Sequence, residues 1–259
     1  MKTKPNVCIL RSDGTNCDED LAFAFQLAGA TTDFVHINEL RRRQRKLSEF
    51  QILALPGGFS YGDDLASGKV LAVELISFFK DDLQQFVEKN GYVLGVCNGF
   101  QTLIRTGLLP FDALGTMSAT LTNNDSGHFE CRFVRMKTEK SAAPYFDDLE
   151  QILDVSVNHG EGKLFADKNI LDRLEKQRLV VFRYVDEKGK PTMHYPENPN
   201  GALRAIAGIC DKTGRILGLM PHPEKFVEVT QHPNWRREHF TKPHGQLFFE
   251  RIVHFVKTS

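Results

Sequence analysis

The sequence predicts an α/β fold: a mostly parallel central sheet with helices on both faces and an antiparallel extension. Three observations carry that prediction. Apolar strand-like runs alternate with amphipathic stretches as far as Gly107, which calls for crossover connections and so for parallel strands. The middle of the chain then changes to short runs of hairpin character. Over 259 residues, 41% hydrophobic and 25% charged is ordinary globular usage and ample for one buried core.

The elements follow in order. Asn6 to Leu10 reads as a short buried strand. A helix comes next, capped by Asp18, running to Gly29 with Leu21, Phe25 and Ala28 on its apolar face. Asp33 to Ile37 is strand-like, and the basic run Arg41 to Lys46 reads as a solvated connection. Gln51 to Leu55 is a third strand, stopped by Pro56-Gly57-Gly58, and a long helix covers Val70 to Lys89. Tyr92 to Val96 is the fourth strand, with a helix from Asn98 to Thr106 ended by Gly107. Phe129 to Met136 looks like hairpin material and Asp167 to Lys176 like a helix. Leu179 to Tyr184, Ala205 to Cys210 and Ile216 to Met220 are strands, while His194 to Gly201 is a loop. The last helix spans Gly245 to Val256, with Leu247, Phe248, Ile252 and Phe255 as its stripe. One domain, with a core from 6 to 226 and a helical extension from 227 to 259, is the economical reading.

Composition excludes several function classes. Lys+Arg and Asp+Glu both number 33, so no net field steers the chain to nucleic acid or to an anionic membrane. No run approaches the ~18 apolar residues of a membrane span. The apolar run after Met1 to Asn6 stops at Arg11, too short for a signal-peptide core. The five cysteines, Cys8, Cys17, Cys97, Cys131 and Cys210, are scattered and form no CxxC pair. A disulfide framework or zinc knuckle is not expected, and a reducing cytoplasm fits. Cys8, Cys131 and Cys210 are expected to be buried small hydrophobes.

Chemistry concentrates in four segments. Gly95-Val96-Cys97-Asn98-Gly99 runs from a strand straight into a helix. That is a cysteine form of the nucleophile elbow, and a thiol at a helix N-terminus is favoured as thiolate. Pro221-His222-Pro223-Glu224 follows a late strand and holds His222 on a stiff loop, with Glu224 within reach to fix its tautomer. Pro56-Gly57-Gly58 frees backbone N–H groups; Asp63 and Asp64 disfavour a phosphate there. The Gly58 and Asn98 amides are therefore read as an oxyanion hole, against the plainer reading of a βα turn. In Asn158-His159-Gly160-Glu161-Gly162 no second His or Cys stands at ligand spacing, so no metal is expected. His159 either lines a pocket or is a satisfied structural histidine.

Together, these segments resemble the class I (triad) glutamine amidotransferases. Finer runs, Arg11 to Asp18, Ala54 to Asp63, Gly95 to Gln101, His159 to Gly162, Asn198 to Gly201 and Met220 to Glu224, are similar to the family of glutaminase subunits of phosphoribosylformylglycinamidine synthase. The resemblance spans residues 7 to 226. It implies a flavodoxin-like amidotransferase fold and hydrolysis of L-glutamine to glutamate and ammonia. The ammonia would pass to a separate ATP-dependent formylglycinamidine ribonucleotide synthetase subunit of de novo purine biosynthesis, with a small accessory subunit in the complex. It implies Cys97 as nucleophile, His222 as general base and acid, Glu224 as orienter, and Gly58 and Asn98 as oxyanion donors. It further implies Gln101, His159 and Gly160 as glutamine-binding positions, and no metal or organic cofactor. Asp64-Leu65-Ala66 departs from the family's usual text, and the tail after Phe226 receives no role. The competing readings are another Cys–His–Glu hydrolase, such as a γ-glutamyl peptidase, or a silent docking subunit.

Overall fold

In the computed structural model, residues 4–147, 149 and 152–259 are described; the amino-terminal residues 1–3, used above in reading the start of the chain, lie outside them. The first half builds β1 (Asn6–Arg11), α1 (Asp18–Leu27), β2 (Thr31–His36), α2 (Ile37–Arg41), β3 (Ile52–Leu55), α3 (Lys69–Glu88), β4 (Tyr92–Val96) and α4 (Asn98–Thr106). The strands β3 and β4 are buried at every position, as expected for strands covered on both faces. The second half builds β5 (Thr120–Asn123), β6 (Glu130–Thr138), β7 (Ile152–His159), β8 (Glu161–Phe165), α5 (Lys168–Lys176), β9 (Val180–Tyr184), β10 (Ile206–Cys210), β11 (Ile216–Leu219) and α6 (His244–Thr258).

The described residues form a nine-stranded sheet in the order β2-β1-β3-β4-β11-β10-β9-β6-β7, and β5 pairs with β8 in a separate ladder. The pairs from β2 through β11 are parallel, and those from β11 through β7 antiparallel. The predicted mostly parallel sheet with an antiparallel extension is thus what the chain forms. The helix α6 closes the core: Phe248, Phe249 and Ile252 are fully buried, and Phe249 meets Phe25 of α1 edge-on at 4.9 Å between centroids. Among the described residues no helix is long and apolar enough to cross a membrane.

The structure corrects several local expectations. Cys17, not Asp18, holds the N-cap position of α1, and the helix has no side-chain cap. Asp18 instead pairs with Arg11 at the end of β1. Ile37 opens α2 rather than closing β2, because His36 caps that helix with Glu39 in a capping box. The basic run is partly helical and ion-paired: Arg41 with Glu74, Arg43 with Asp82, Arg45 with Asp33 and Glu49. Cys131 is exposed, unlike Cys8 and Cys210. Strand alternation on β6 turns it to solvent, where its thiol donates to Asn158 Oδ1 at 3.0 Å.

Candidate active site

Three neighbouring strands deliver the predicted residues to one place. Parallel pairing sets Leu55 of β3 beside Gly95 of β4, and Val96 of β4 beside Leu219 of β11. The loops leaving their carboxyl ends carry Gly57-Gly58, Cys97 and His222, the end of an open α/β sheet where ligands bind. Cys97 N–H donates to Leu219 O at 2.8 Å, and His222 N–H to Ser156 O of β7 at 2.8 Å. Both catalytic candidates are thereby pinned by their backbones.

Cys97 adopts φ 50° and ψ −104° between β4 and α4, a backbone conformation costly for a residue with a Cβ and typical of functional turns. A Cβ on Gly99 would collide with the carbonyl of Leu55. Only glycine lets the first turn of α4 approach β3 this closely. The intrahelical ladder of α4 starts with Gln101 N–H donating to Cys97 O at 2.9 Å, which leaves the Asn98 amide ahead of it without a helical acceptor. The Asn98 side chain fastens the β3 loop to this turn. Its Oδ1 accepts from Ser60 N–H at 3.2 Å and from Ser60 Oγ at 2.6 Å, and its Nδ2 donates to Asp63 at 2.9 Å. The loop bearing Gly58 and the helix bearing the Asn98 amide are therefore held as one unit. Cys97 is 4% exposed and its Sγ reaches Asn158 O at 3.6 Å.

His222 and Glu224 are each 1% exposed, and His222 Nδ1 meets Glu224 Oε1 at 2.6 Å. Nε2 is buried without a hydrogen-bond partner. Burial pushes the imidazole down, but the Glu224 carboxylate and the Cys97 and Cys17 sulfurs beside the ring outweigh it and hold its pKa well above the ordinary histidine value. A Cβ on Gly57 would stand 2.6 Å from His222 Cε1, so the loop after β3 forms the wall against which the ring rests.

The glutamine-binding candidates gather on the other side of Asn98. Gln101 accepts from Asn98 Nδ2 at 3.1 Å and donates to Glu161 O at 2.5 Å, which brings α4 to the His159–Gly160 segment. The His159 ring is 3% exposed and engaged at both nitrogens, by Asn124 at 3.2 Å and Asn200 at 3.4 Å. Burial, with His222 nearby, lowers its pKa to about 3. The ring is a satisfied neutral one, and Gly160 beside it lines a cavity.

Two cavities open here and share the stacked rings of Phe59 and Phe129, 6.4 Å between centroids. One, of about 490 Å3, is lined by Cys17, Gly58, Asn158 and His222. The other, of about 520 Å3, is lined by Asp63, Gly160 and Glu161. A further cavity near Gln51, Lys89 and Arg215 contains none of these residues. Asn158 and Ser60 stand in segments singled out from the sequence, but their contacts, and the closeness of Cys17 to His222, emerge only in the fold. Asn16-Cys17 was visible as a motif, but nothing in the linear order aims that thiol at a histidine some two hundred residues on.

Known proteins resemble this chain along nearly its whole length. The sequence model of the CobB/CobQ-like glutamine amidotransferase domain matches residues 4–256. Phosphoribosylformylglycinamidine synthase subunit PurQ of Dehalococcoides mccartyi is 46% identical, covering 91% of each chain. Its counterpart in Treponema denticola is 40% identical, covering 92% of this chain and 94% of the relative. The structure of PurLQS from Thermotoga maritima aligns with a TM-score of 0.73 at 28% identity, covering 98% of this chain and 100% of the other.

Proposed function

The chain belongs to the CobB/CobQ-like glutamine amidotransferase family, and from that premise we infer that it is the glutaminase subunit of phosphoribosylformylglycinamidine synthase. It hydrolyses glutamine and supplies ammonia to a separate synthetase subunit in purine biosynthesis. The observation behind this reading is the buried His222–Glu224 pair beside a cysteine on a strand-to-helix elbow.

In the mechanism we propose, the Cys97 thiolate attacks the carbonyl carbon of the glutamine side-chain amide. The Gly58 and Asn98 amides hold the oxyanion; one such donor is worth ~3 kcal/mol at the transition state. His222, kept protonated by Glu224, gives its proton to the departing ammonia, leaving a glutamyl thioester. The neutral ring then takes a proton from water, hydroxide attacks the thioester, and glutamate leaves as the sulfur is restored. Gln101 and the backbone of Gly160 orient the amino-acid end of glutamine. The whole chain works as one amidotransferase domain, in the cytoplasm, with a small accessory subunit joining the complex. Cys97 lines neither cavity, which supports a resting site that opens fully when the synthetase docks.

The test is glutamine-dependent synthesis of formylglycinamidine ribonucleotide with the synthetase partner, alongside labelling by a glutamine-analogue electrophile. Labelling lost in Cys97→Ala and kept in Cys17→Ala supports the assignment. An absence of labelling with or without the partner would instead identify a silent docking subunit.

A further inference from the structure

The run Arg11 to Asp18 carries part of the family resemblance yet has no part in the reaction proposed above. In the fold its central residues lie against the loop after β3. Gly14 O accepts from Phe59 N–H at 3.0 Å, Asp13 O accepts from Tyr61 N–H at 2.7 Å, and Gly57 O accepts from Cys17 N–H at 3.2 Å. These bonds engage both chain neighbours of Gly58 and leave its own N–H out. The two loops touch at glycines. Gly14 has φ 87°, and a Cβ there would collide with Phe59 O. Gly58 has φ 137°, and a Cβ there would stand 2.7 Å from Asn16 N. Only glycine permits this approach at either position.

The loop after β3 is costly on its own. Tyr61, Gly62 and Asp63 have φ 55°, 69° and 54°, three successive left-handed residues, two of them with a Cβ. Such a run persists only where its surroundings hold it. The Asn98 side chain holds Ser60 and Asp63, while the carbonyls of Asp13 and Gly14 hold Tyr61 and Phe59. Thr15 stiffens the holder. Its N–H donates to Ser12 O at 3.1 Å and its Oγ1 accepts from Ser12 N–H at 3.1 Å, so backbone and side chain both close the turn.

We propose that Gly14 and Thr15 are positioning residues for Gly58: the loop after β1 fixes the direction of the Gly58 amide before glutamine arrives. This rests on the role proposed for Gly58 in glutamine hydrolysis. An oxyanion donor acts only when aimed at the oxygen of the tetrahedral state, so a loosened loop costs rate rather than substrate binding.

The experiment measures steady-state glutaminase kinetics of the full chain with its synthetase partner, and the affinity of L-glutamate γ-semialdehyde. The Cys97 sulfur adds to the aldehyde carbon and the thiol proton goes to the oxygen, giving a tetrahedral adduct that needs the same donor. Gly14→Ala should lower kcat about 10^2-fold with the glutamine KM within about threefold, and aldehyde affinity should fall with kcat. Thr15→Val removes the hydroxyl and should lower kcat about tenfold, and Thr15→Ser should restore it. Circular dichroism checks the fold; if Gly14→Ala does not fold, the Thr15 pair decides. Unchanged kcat in the folded variants, a KM rise that accounts for the loss, or aldehyde affinity that stays at the wild-type level overturns the proposal. A wild-type complex without glutaminase activity would overturn the functional reading itself, and this proposal with it.

Discussion

His222 and His159 are both buried, lie close enough to influence one another, and have opposite electrostatics. The loop around His222 gives the ring a carboxylate on one nitrogen and leaves the other without a partner. The segment around His159 closes both nitrogens with the side-chain amides of Asn124 and Asn200. Burial alone favours the neutral ring in each case. A carboxylate and neighbouring sulfurs reverse that preference at His222, and neutral amides leave it intact at His159. An ionic partner and an idle nitrogen thus make a buried histidine a candidate proton carrier, and complete satisfaction makes it a structural element.

The largest test of this contrast exchanges the rings for amides. His222→Asn should lower kcat by about 10^4-fold or more, while His159→Gln should leave kcat within a few fold; steady-state glutaminase assays of the complex decide it. Comparable losses in both variants would break the distinction. Glu224→Gln should lower kcat by about 10^3- to 10^4-fold, because the carboxylate that orients and charges the ring is gone. The same variant should move the titration of His222 downward, visible in the pH dependence of the rate.

A smaller effect, about 10^2-fold, is expected for Gly57→Ala. The new Cβ would stand 2.6 Å from His222 Cε1 and displace the ring, so activity should fall further than the urea midpoint does. An intact rate in a folded Gly57→Ala protein would show that the wall does not position the imidazole.

The last test reads stability against pH. His159 has a folded pKa of about 3 against an ordinary 6.5. Its contribution is complete above the unfolded value and is lost as pH falls from 6.5 toward 3. Between pH 7 and pH 4 the loss is roughly 3 kcal/mol, and His159→Gln should flatten the acid slope of urea stability by about that amount. His222 has the opposite sign: with its pKa raised, its contribution is complete below the unfolded value and fades as pH climbs through the folded one.

Much of this arrangement is legible in the linear order. The strand-to-helix passage at Cys97 was readable because flanking glycines and an apolar run are local features, and β4 and α4 begin and end where those features place them. His222 was readable from the stiffness of its two prolines, and Glu224 from a separation of two residues. The cap of α1 was misplaced because Asp18 had a stronger claim on it, the guanidinium of Arg11, which comes near only after folding. Cys131 was misjudged because an apolar run on a hairpin does not say which face meets solvent.

By itself the sequence determined most of the elements, the turn at Cys97 and the histidine–carboxylate pair, since each depends on contacts within a few residues; α2, β5, β7 and β8 carry no such local signal. Only the tertiary structure decided that Asn158 backs Cys97, that Asn124 and Asn200 close both nitrogens of His159, and that Cys17 lies near His222. Those contacts join residues tens to hundreds of positions apart. Sheet order and strand register set them, and no local propensity encodes either.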